Sequence, residues 1–419
     1  MNIMMRLGIF FLLFAVHAYA QVKIDTVVKD DESGVRYQTR SELGHGAEGT
    51  VYKVEELAPD GTSTGRHWAL KVIGSEFPYY DHFRGPRIVA QLRAENPESK
   101  ELDFFIAERP ISHLSAVANG KETQVGKALL SELLPGVNIY LLGRWFKLFD
   151  FQTGDLISAD PKEIEQRVRT LFLLAHDSVV PLDYLAKKGY VFRDYKRANI
   201  LIHPGPSPHF KLIDTGMVES LEHIKNTKER AGTPPFIAPE TLADPFNQDA
   251  IGEFLDRYSI ALNLWSVATD YNGYRFSLDL GTELVKRPEI LEKVRINLKT
   301  LHESGQLSEE ALRQFEFLNR FIVSAQSLNP SERGVVKAED FKAFDVDKIR
   351  EETSGYLRML STRPPEDVIY QLPPNRSMKI IQGEKEAPPP KAAKTGAFAN
   401  MRCKLRNMVQ AIKGWAHLK

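Results

Sequence analysis

The sequence predicts an α+β chain in which a strand-rich unit precedes a mainly helical one, and three observations carry this. From Tyr37 to Leu134 the residues fall into short alternating segments separated by turns, a period-2 signal. After Pro135-Gly136 the periodicity changes. Asp160-Pro161 then opens a long run in which Val168, Leu171, Phe172, Leu174, Leu182 and Leu185 recur at helical spacing.

Taken in order, the first strands are Tyr37–Leu43, Gly49–Val54 and His67–Ile73, with Ala58-Pro-Asp-Gly-Thr62 as a connecting turn. A further hairpin forms from Phe104–Val117 and Glu122–Leu134 around Asn119-Gly120. The chain therefore divides into an N-terminal extension (21–36), a folded region (37–345, split at 134/135), a Pro-rich linker (346–397) and a terminal helix (398–419). Pro364-Pro365, Pro373-Pro374 and Pro388–Pro390 interrupt regular structure in the linker, and order falls beyond about Ile349.

Composition sets limits on function. The 419 residues hold 55 Lys+Arg and 55 Asp+Glu, so no bulk positive field points to nucleic acid. The single cysteine, Cys403, excludes an intrachain disulfide and any multi-cysteine metal site. Residues 1–20 have one positive charge, an apolar run Leu7–Val16 and Ala18-Tyr-Ala20, the pattern of a cleaved secretory signal; export to the periplasm or beyond is expected. From Ala387 to Lys419 there are seven Lys/Arg and no Asp/Glu. Phe398, Met401, Leu405, Met408, Val409, Ile412, Trp415 and Leu418 form one helical stripe there, suited to an anionic membrane surface, a partner groove or the chain's own folded region.

The chemistry-bearing residues begin with Gly44-His-Gly46-Ala-Glu-Gly49-Thr-Val51, a loop whose glycines let backbone N–H groups close over phosphates. A strand follows, so a dinucleotide-binding helix turn is disfavoured. Next come Trp68-Ala69-Leu70-Lys71, then Phe192-Arg-Asp194-Tyr-Lys196-Arg-Ala-Asn199, Asp214-Thr-Gly216 and Ala238-Pro-Glu240. A phosphoryl group in transfer spreads negative charge over its oxygens, so catalysis needs cations around it and a group that orients the nucleophile. Lys71 supplies a fixed cation, Asn199 and Asp214 are hard oxygen ligands of the kind Mg²⁺ takes, and Asp194 can orient a hydroxyl. Leu201-Ile202 and Phe210–Ile213 read as paired strands that bring Asp194 and Asp214 to one cleft.

In order and spacing this set resembles the eukaryotic-like serine/threonine protein kinase family over about Tyr37–Phe344. The resemblance implies a bilobal fold, with a β-rich lobe (37–134) and a mainly α-helical lobe (135–345), and ATP with Mg²⁺ between them. It implies that Asp194, Lys196 and Lys71 are catalytic, that Asn199 and Asp214 bind metal, and that Gly44, Gly46, Gly49, Val51, Ala69, Lys71, Glu132 and Leu134 bind nucleotide. Ser131 takes the gatekeeper position before a hinge at Glu132-Leu-Leu134. Lys196 and Thr233 match the serine/threonine class, Asp256 resembles the buried helix-start aspartate, and Arg333 resembles the partner of Glu240. A protein acceptor is implied; a kinase-fold binding module without turnover and a small-molecule kinase are the other readings.

Three positions depart from the family pattern. Phe192 replaces a histidine and Thr215 a phenylalanine, both in a packed internal column, where one larger and one smaller group conserve volume. The helix glutamate that pairs with the strand lysine has no obvious counterpart: Arg87–Gln91 stand at the usual distance, with Glu95 and Glu98 beyond. Either a shifted helix brings Glu95 to Lys71 or another residue takes the role. In the activation segment, Ser220 or Thr227 is a candidate for a phosphate read by Arg193, against a mobile loop carrying none.

Overall fold

The computed structural model describes residues 22–362, apart from 47, 75–80, 234–235, 244–245 and 271–275. The signal segment, most of the expected linker, the terminal helix and Cys403 lie outside the described residues. No described helix is long and apolar enough to cross a membrane.

The first lobe is a closed barrel of six antiparallel strands in the order β1-β2-β3-β4-β6-β5. These are β1 (Val27–Asp30), β2 (Arg36–Gly46), β3 (Gly49–Leu57), β4 (Ser63–Ile73), β5 (Glu108–Ala118) and β6 (Lys121–Glu132). Helix α1 (Arg84–Glu95) lies between β4 and β5. Every strand expected from the alternation is present, and the Asn119-Gly120 hairpin turns with both residues at positive φ. Alternate side chains fill the barrel: Val28, Val54, Leu70, Ile111 and Leu114 are fully buried.

The N-terminal boundary requires correction. Residues 22–30 belong to the lobe rather than to an extension, because β1 pairs with both β2 and β5 and so closes the sheet. Tyr52 Oη donates to the Val22 carbonyl at 2.7 Å, and Thr39 Oγ1 donates to the Lys23 carbonyl at 2.7 Å. Closure removes two exposed strand edges.

The second lobe is mainly helical. Its centre is α2 (Pro161–Lys187), capped by the Asp160 side chain with Pro161 at its first position, as the sequence implies. Around it lie α4 (Leu255–Thr269), α5 (Phe276–Glu303) and α6 (Glu309–Ala325), with the short α3 (Leu221–Thr227) in the activation segment. Small strands β7 (Val137–Asn138), β9 (Ile200–His203) and β10 (His209–Leu212) form one sheet, and β8 (Tyr190–Val191) pairs with β11 (Glu219–Ser220). The β9–β10 hairpin is the pair expected to carry Asp194 and Asp214 to one place.

The C-terminal boundary also moves. Val346–Ser361, placed at the start of the linker by sequence, is a helix, α7, with Ile349, Leu357 and Leu360 buried. Arg350 forms a buried bidentate pair with Asp177 of α2 at 2.6 and 2.9 Å, and Tyr356 Oη donates to the Trp145 carbonyl at 2.7 Å. The first proline of that stretch is Pro364, beyond the last residue of this helix. The folded unit therefore runs from at least Val22 to Ser361.

Candidate active site

The glycine-rich segment is the tight β2–β3 hairpin. Gly49 fits because β3 runs close against β4: a Cβ there would lie 2.0 Å from the Val72 carbonyl oxygen. Cross-strand register aligns Val51 with Lys71, and Ala69 with Ser131. These residues face the cleft from a rigid sheet. At the end of β6, Glu132 Oε1 accepts from Lys211 Nζ at 3.3 Å, which ties the segment joining the lobes to β10. Leu134 follows just outside β6.

The catalytic loop is fixed from below. Asp256, at the start of α4, accepts from the backbone N–H groups of Phe192 (2.6 Å) and Arg193 (2.8 Å), so its expected role as a loop anchor is realised. Burial pushes its carboxyl up to about 6, and the two N–H donors work in the opposite direction. Arg193 is held at φ 68°, a strained conformation for a non-glycine residue that needs such bracing.

Asp194 is the hub of the loop. Its carboxylate accepts from Lys196 Nζ (2.7 Å), Asn199 Nδ2 (3.0 Å) and Thr233 Oγ1 (2.6 Å), and Lys196 also reaches Thr233 at 3.0 Å. Asn199 Nδ2 also donates to the Asp194 carbonyl at 3.0 Å. With its amide N–H groups engaged in this way, Asn199 presents its carbonyl oxygen as the group suited to a hard cation.

Asp214 reaches Lys71 through both carboxylate oxygens, at 2.9 and 2.8 Å. Burial alone raises the Asp214 carboxyl, but the Lys71 ammonium, helped by the Lys196 charge, holds it below the ordinary range. Burial works against the Lys71 ammonium as well, yet Asp214 and Glu48 outweigh it and raise it. The Ile213 N–H donates to the Asn199 carbonyl at 2.9 Å, which sets Asp214 beside the loop that carries Asp194 and Asn199.

The partner of Lys71 is Glu48, in the glycine loop, at 2.7 Å. Glu95 does not reach Lys71: it is exposed on α1 and accepts from Gln91 at 2.7 Å. Instead of an acid, α1 places Gly85 against the motif. A Cβ at Gly85 would lie 1.9 Å from the Thr215 carbonyl oxygen, a close approach that only glycine permits.

Thr215 is fully buried, and Glu108, at the start of β5, accepts both its N–H (2.9 Å) and its hydroxyl. Burial and the nearby Asp214 push the Glu108 carboxyl up to about 7. The Thr215 departure is therefore met by a polar partner. Phe192 lies against Phe105, ring centroids 6.2 Å apart. Glu48 and Glu108 were not visible as site residues in the sequence. The only signal for either is that each is an acid beside a motif or strand end that faces the cleft.

In the activation segment Arg193 pairs with Glu229 at 3.3 Å and its Nε donates to the Met217 carbonyl at 2.7 Å. Arg84 of α1 reaches Glu219 and, at 2.9 Å, His223. Glu219, His223 and Glu229 bring ligand atoms within 4.8 Å of one another, but the two arginines share them, making an ion-pair network. Ser220 Oγ caps α3 by accepting from the His223 N–H at 3.1 Å, and Thr227 Oγ1 donates to the His223 carbonyl at 2.7 Å. Beyond it, Arg333 holds Glu240 at 2.5 and 2.8 Å in a buried fork, as the sequence implies.

Residues 152–336 match the protein kinase domain family. Human death-associated protein kinase 2 is 28% identical over 229 residues, covering 54% of this chain and 52% of that protein. Fission yeast serine/threonine-protein kinase ppk34 is 27% identical over 249 residues, covering 56% and 66%. A titin homolog of Caenorhabditis elegans is 26% identical over 229 residues, covering 54% of this chain and 1% of its own. The chain thus spans no more than about two thirds of any of the three. The fold and cleft are those of a bilobal protein kinase. Residues 152–336 thus carry a protein kinase domain match, and the chain is similar to serine/threonine protein kinases, a family that uses ATP with a divalent metal.

Proposed function

We propose that the chain is an active kinase that transfers the γ-phosphoryl group of ATP to serine or threonine hydroxyls of protein substrates. The observation that carries this is Asp194 held by Lys196, Asn199 and Thr233 in the same cleft as the Lys71–Asp214 pair. A binding module without turnover has no need for an oriented carboxylate flanked by a cation.

Asn199 and Asp214 would hold Mg²⁺, whose chemistry is to neutralise charge on the phosphates. Lys71 fixes the non-transferring phosphates, and backbone around Gly44, Gly46 and Gly49 covers them. Val51 and Ala69 line the adenine side, with backbone of Glu132 and Leu134 as its hydrogen-bonding edge. Asp194 orients the acceptor hydroxyl and takes its proton, while Lys196 beside it offsets charge on the moving group. Thr233 links the acceptor-binding segment to Asp194. The Glu240–Arg333 fork holds that segment for a polypeptide, which favours a protein acceptor over a small molecule.

The test is incorporation of labelled phosphate from ATP and Mg²⁺ into a generic protein acceptor, with Asp194→Ala and Asp214→Ala controls. Incorporation that survives in both controls would reject the assignment. The proposal extends to export, resting on residues 1–20; a secreted chain beginning at Gln21 supports it, and an unprocessed cytoplasmic chain rejects it. Binding of the 398–419 helix to anionic vesicles, lost on its deletion, tests its membrane role.

Ser131 faces the same side of the sheet as Ala69 and Glu108, its cross-strand neighbours. A side chain this small leaves room behind the adenine position. Ser131→Met is expected to weaken bulky adenine-site inhibitors by at least about tenfold, while small ones lose little, because the added side chain clashes only with the larger group. Competition binding of a matched inhibitor pair measures this; equal affinities before and after the change would place the gatekeeper elsewhere.

A further inference from the structure

Helix α1 offers the cleft no carboxylate. Its Glu95 is turned to Gln91, and the turn nearest the metal-binding motif carries Gly85. Lys71 is served from the glycine loop by Glu48. The motif meets α1 through a close backbone approach at Gly85.

The support comes from β5. Oε2 of Glu108 accepts the Thr215 N–H at 2.9 Å and also the Thr215 hydroxyl. Thr215 directly follows Asp214, which sits at φ 61° in the left-handed region. A non-glycine residue in that conformation is strained and persists only where neighbours hold it. Glu108 stands on a strand of the barrel, opposite Ser131 in the ladder, so it can impose an orientation on the segment it grips.

We propose that Glu108 is a positioning residue for Asp214: through the N–H and hydroxyl of Thr215 it holds the metal-binding carboxylate toward the nucleotide, work that α1 has no acid to perform. Thr215 stands where it does because a hydroxyl is needed to complete this grip, and an apolar side chain would leave the Glu108 carboxylate short of one donor. The inference rests on the kinase reading, since it concerns the metal ligand of that site. Glu108 touches neither nucleotide nor acceptor in this scheme.

The experiment measures the affinity of the full chain for a fluorescent ATP analogue with and without Mg²⁺. Wild type binds more tightly with the metal. Glu108→Leu is expected to lose about tenfold or more of that metal-dependent gain, the scale of two hydrogen bonds to a charged acceptor, with affinity in the absence of Mg²⁺ unchanged. Glu108→Gln keeps a carbonyl acceptor and restores most of the gain, a rescue that simple space-filling does not explain. Thr215→Val, the milder change, removes one bond and gives an intermediate loss, so the inference stays open to refutation even where Glu108→Leu unfolds. A full metal-dependent gain in Thr215→Val and in folded Glu108→Leu would overturn this inference alone. A wild-type chain that takes up no nucleotide under either condition would overturn the kinase reading and this inference with it.

Discussion

Asp194→Ala is expected to lower the rate of phosphoryl transfer by about 10²–10⁴-fold, the usual contribution of a positioned general base, with nucleotide affinity nearly unchanged. The physical reason lies in what the carboxylate gathers. Lys196, Asn199 and Thr233 all donate to it, so its removal leaves three donors with no shared acceptor and the incoming hydroxyl with no orienting group. The loop itself should keep its shape, because its backbone is held by Asp256 through Phe192 and Arg193 rather than by Asp194. Thermal unfolding should therefore move little while turnover collapses. Steady-state kinetics on the variant and wild type, with a fluorescent nucleotide for binding, separate the two effects. A variant that loses nucleotide affinity in proportion to turnover would make Asp194 part of the nucleotide site instead. Asp214→Ala should fail differently: it strips Lys71 of one of its two carboxylate partners and weakens binding as well as transfer.

The contrast between these two aspartates reflects how much of the site could be read from the chain. The catalytic loop lies within eight residues, Phe192 to Asn199, and Lys196 and Asn199 meet Asp194 inside it, so a linear pattern captures them. Thr233 and Arg333 lie farther off, yet each stands inside its own local pattern. Glu48 and Glu108 have no such help. Glu48 is 23 residues from Lys71 and Glu108 is 107 from Thr215, and both enter from strands or hairpins rather than from the helix where an acid is expected. Their roles depend on barrel register, which alternation predicts only locally. The boundary errors share that origin. β1 has four residues, too few for a periodic signal, and its meaning comes from closing the barrel. Helix α7 looked like the edge of a proline-rich stretch because its buried side, Ile349, Thr353, Leu357 and Leu360, includes a charge, Arg350, whose partner lies on another helix.

That charge carries the second large effect. Arg350→Ala is expected to destabilise the folded unit by about 3–5 kcal/mol, the cost of removing one member of a buried ion pair. Asp177 is fully buried and accepts from Arg350 twice, from the Phe210 N–H at 2.9 Å and from His176 at 2.8 Å. Without the guanidinium the carboxylate keeps its charge in an apolar setting with too few donors, and α7 loses its tie to α2 and β10. Burial alone would raise the Asp177 carboxyl, but Arg350 and His176 hold it well below the usual carboxylate range. A carboxyl depressed by folding adds stability that is whole above the unfolded value of about 3.9 and is lost as pH falls toward the folded one. Wild type should therefore lose stability steeply below about pH 4, and Arg350→Ala should show a flatter acid limb because part of that linkage is already gone. Replacing both partners, Asp177→Asn with Arg350→Leu, keeps an acceptor for Phe210 and removes both charges, so it should be less damaging than Arg350→Ala alone. Urea unfolding of the three chains at neutral and acid pH measures these differences. Equal stability of Arg350→Ala and wild type would mean that α7 is an appendage whose contacts add nothing to the kinase fold.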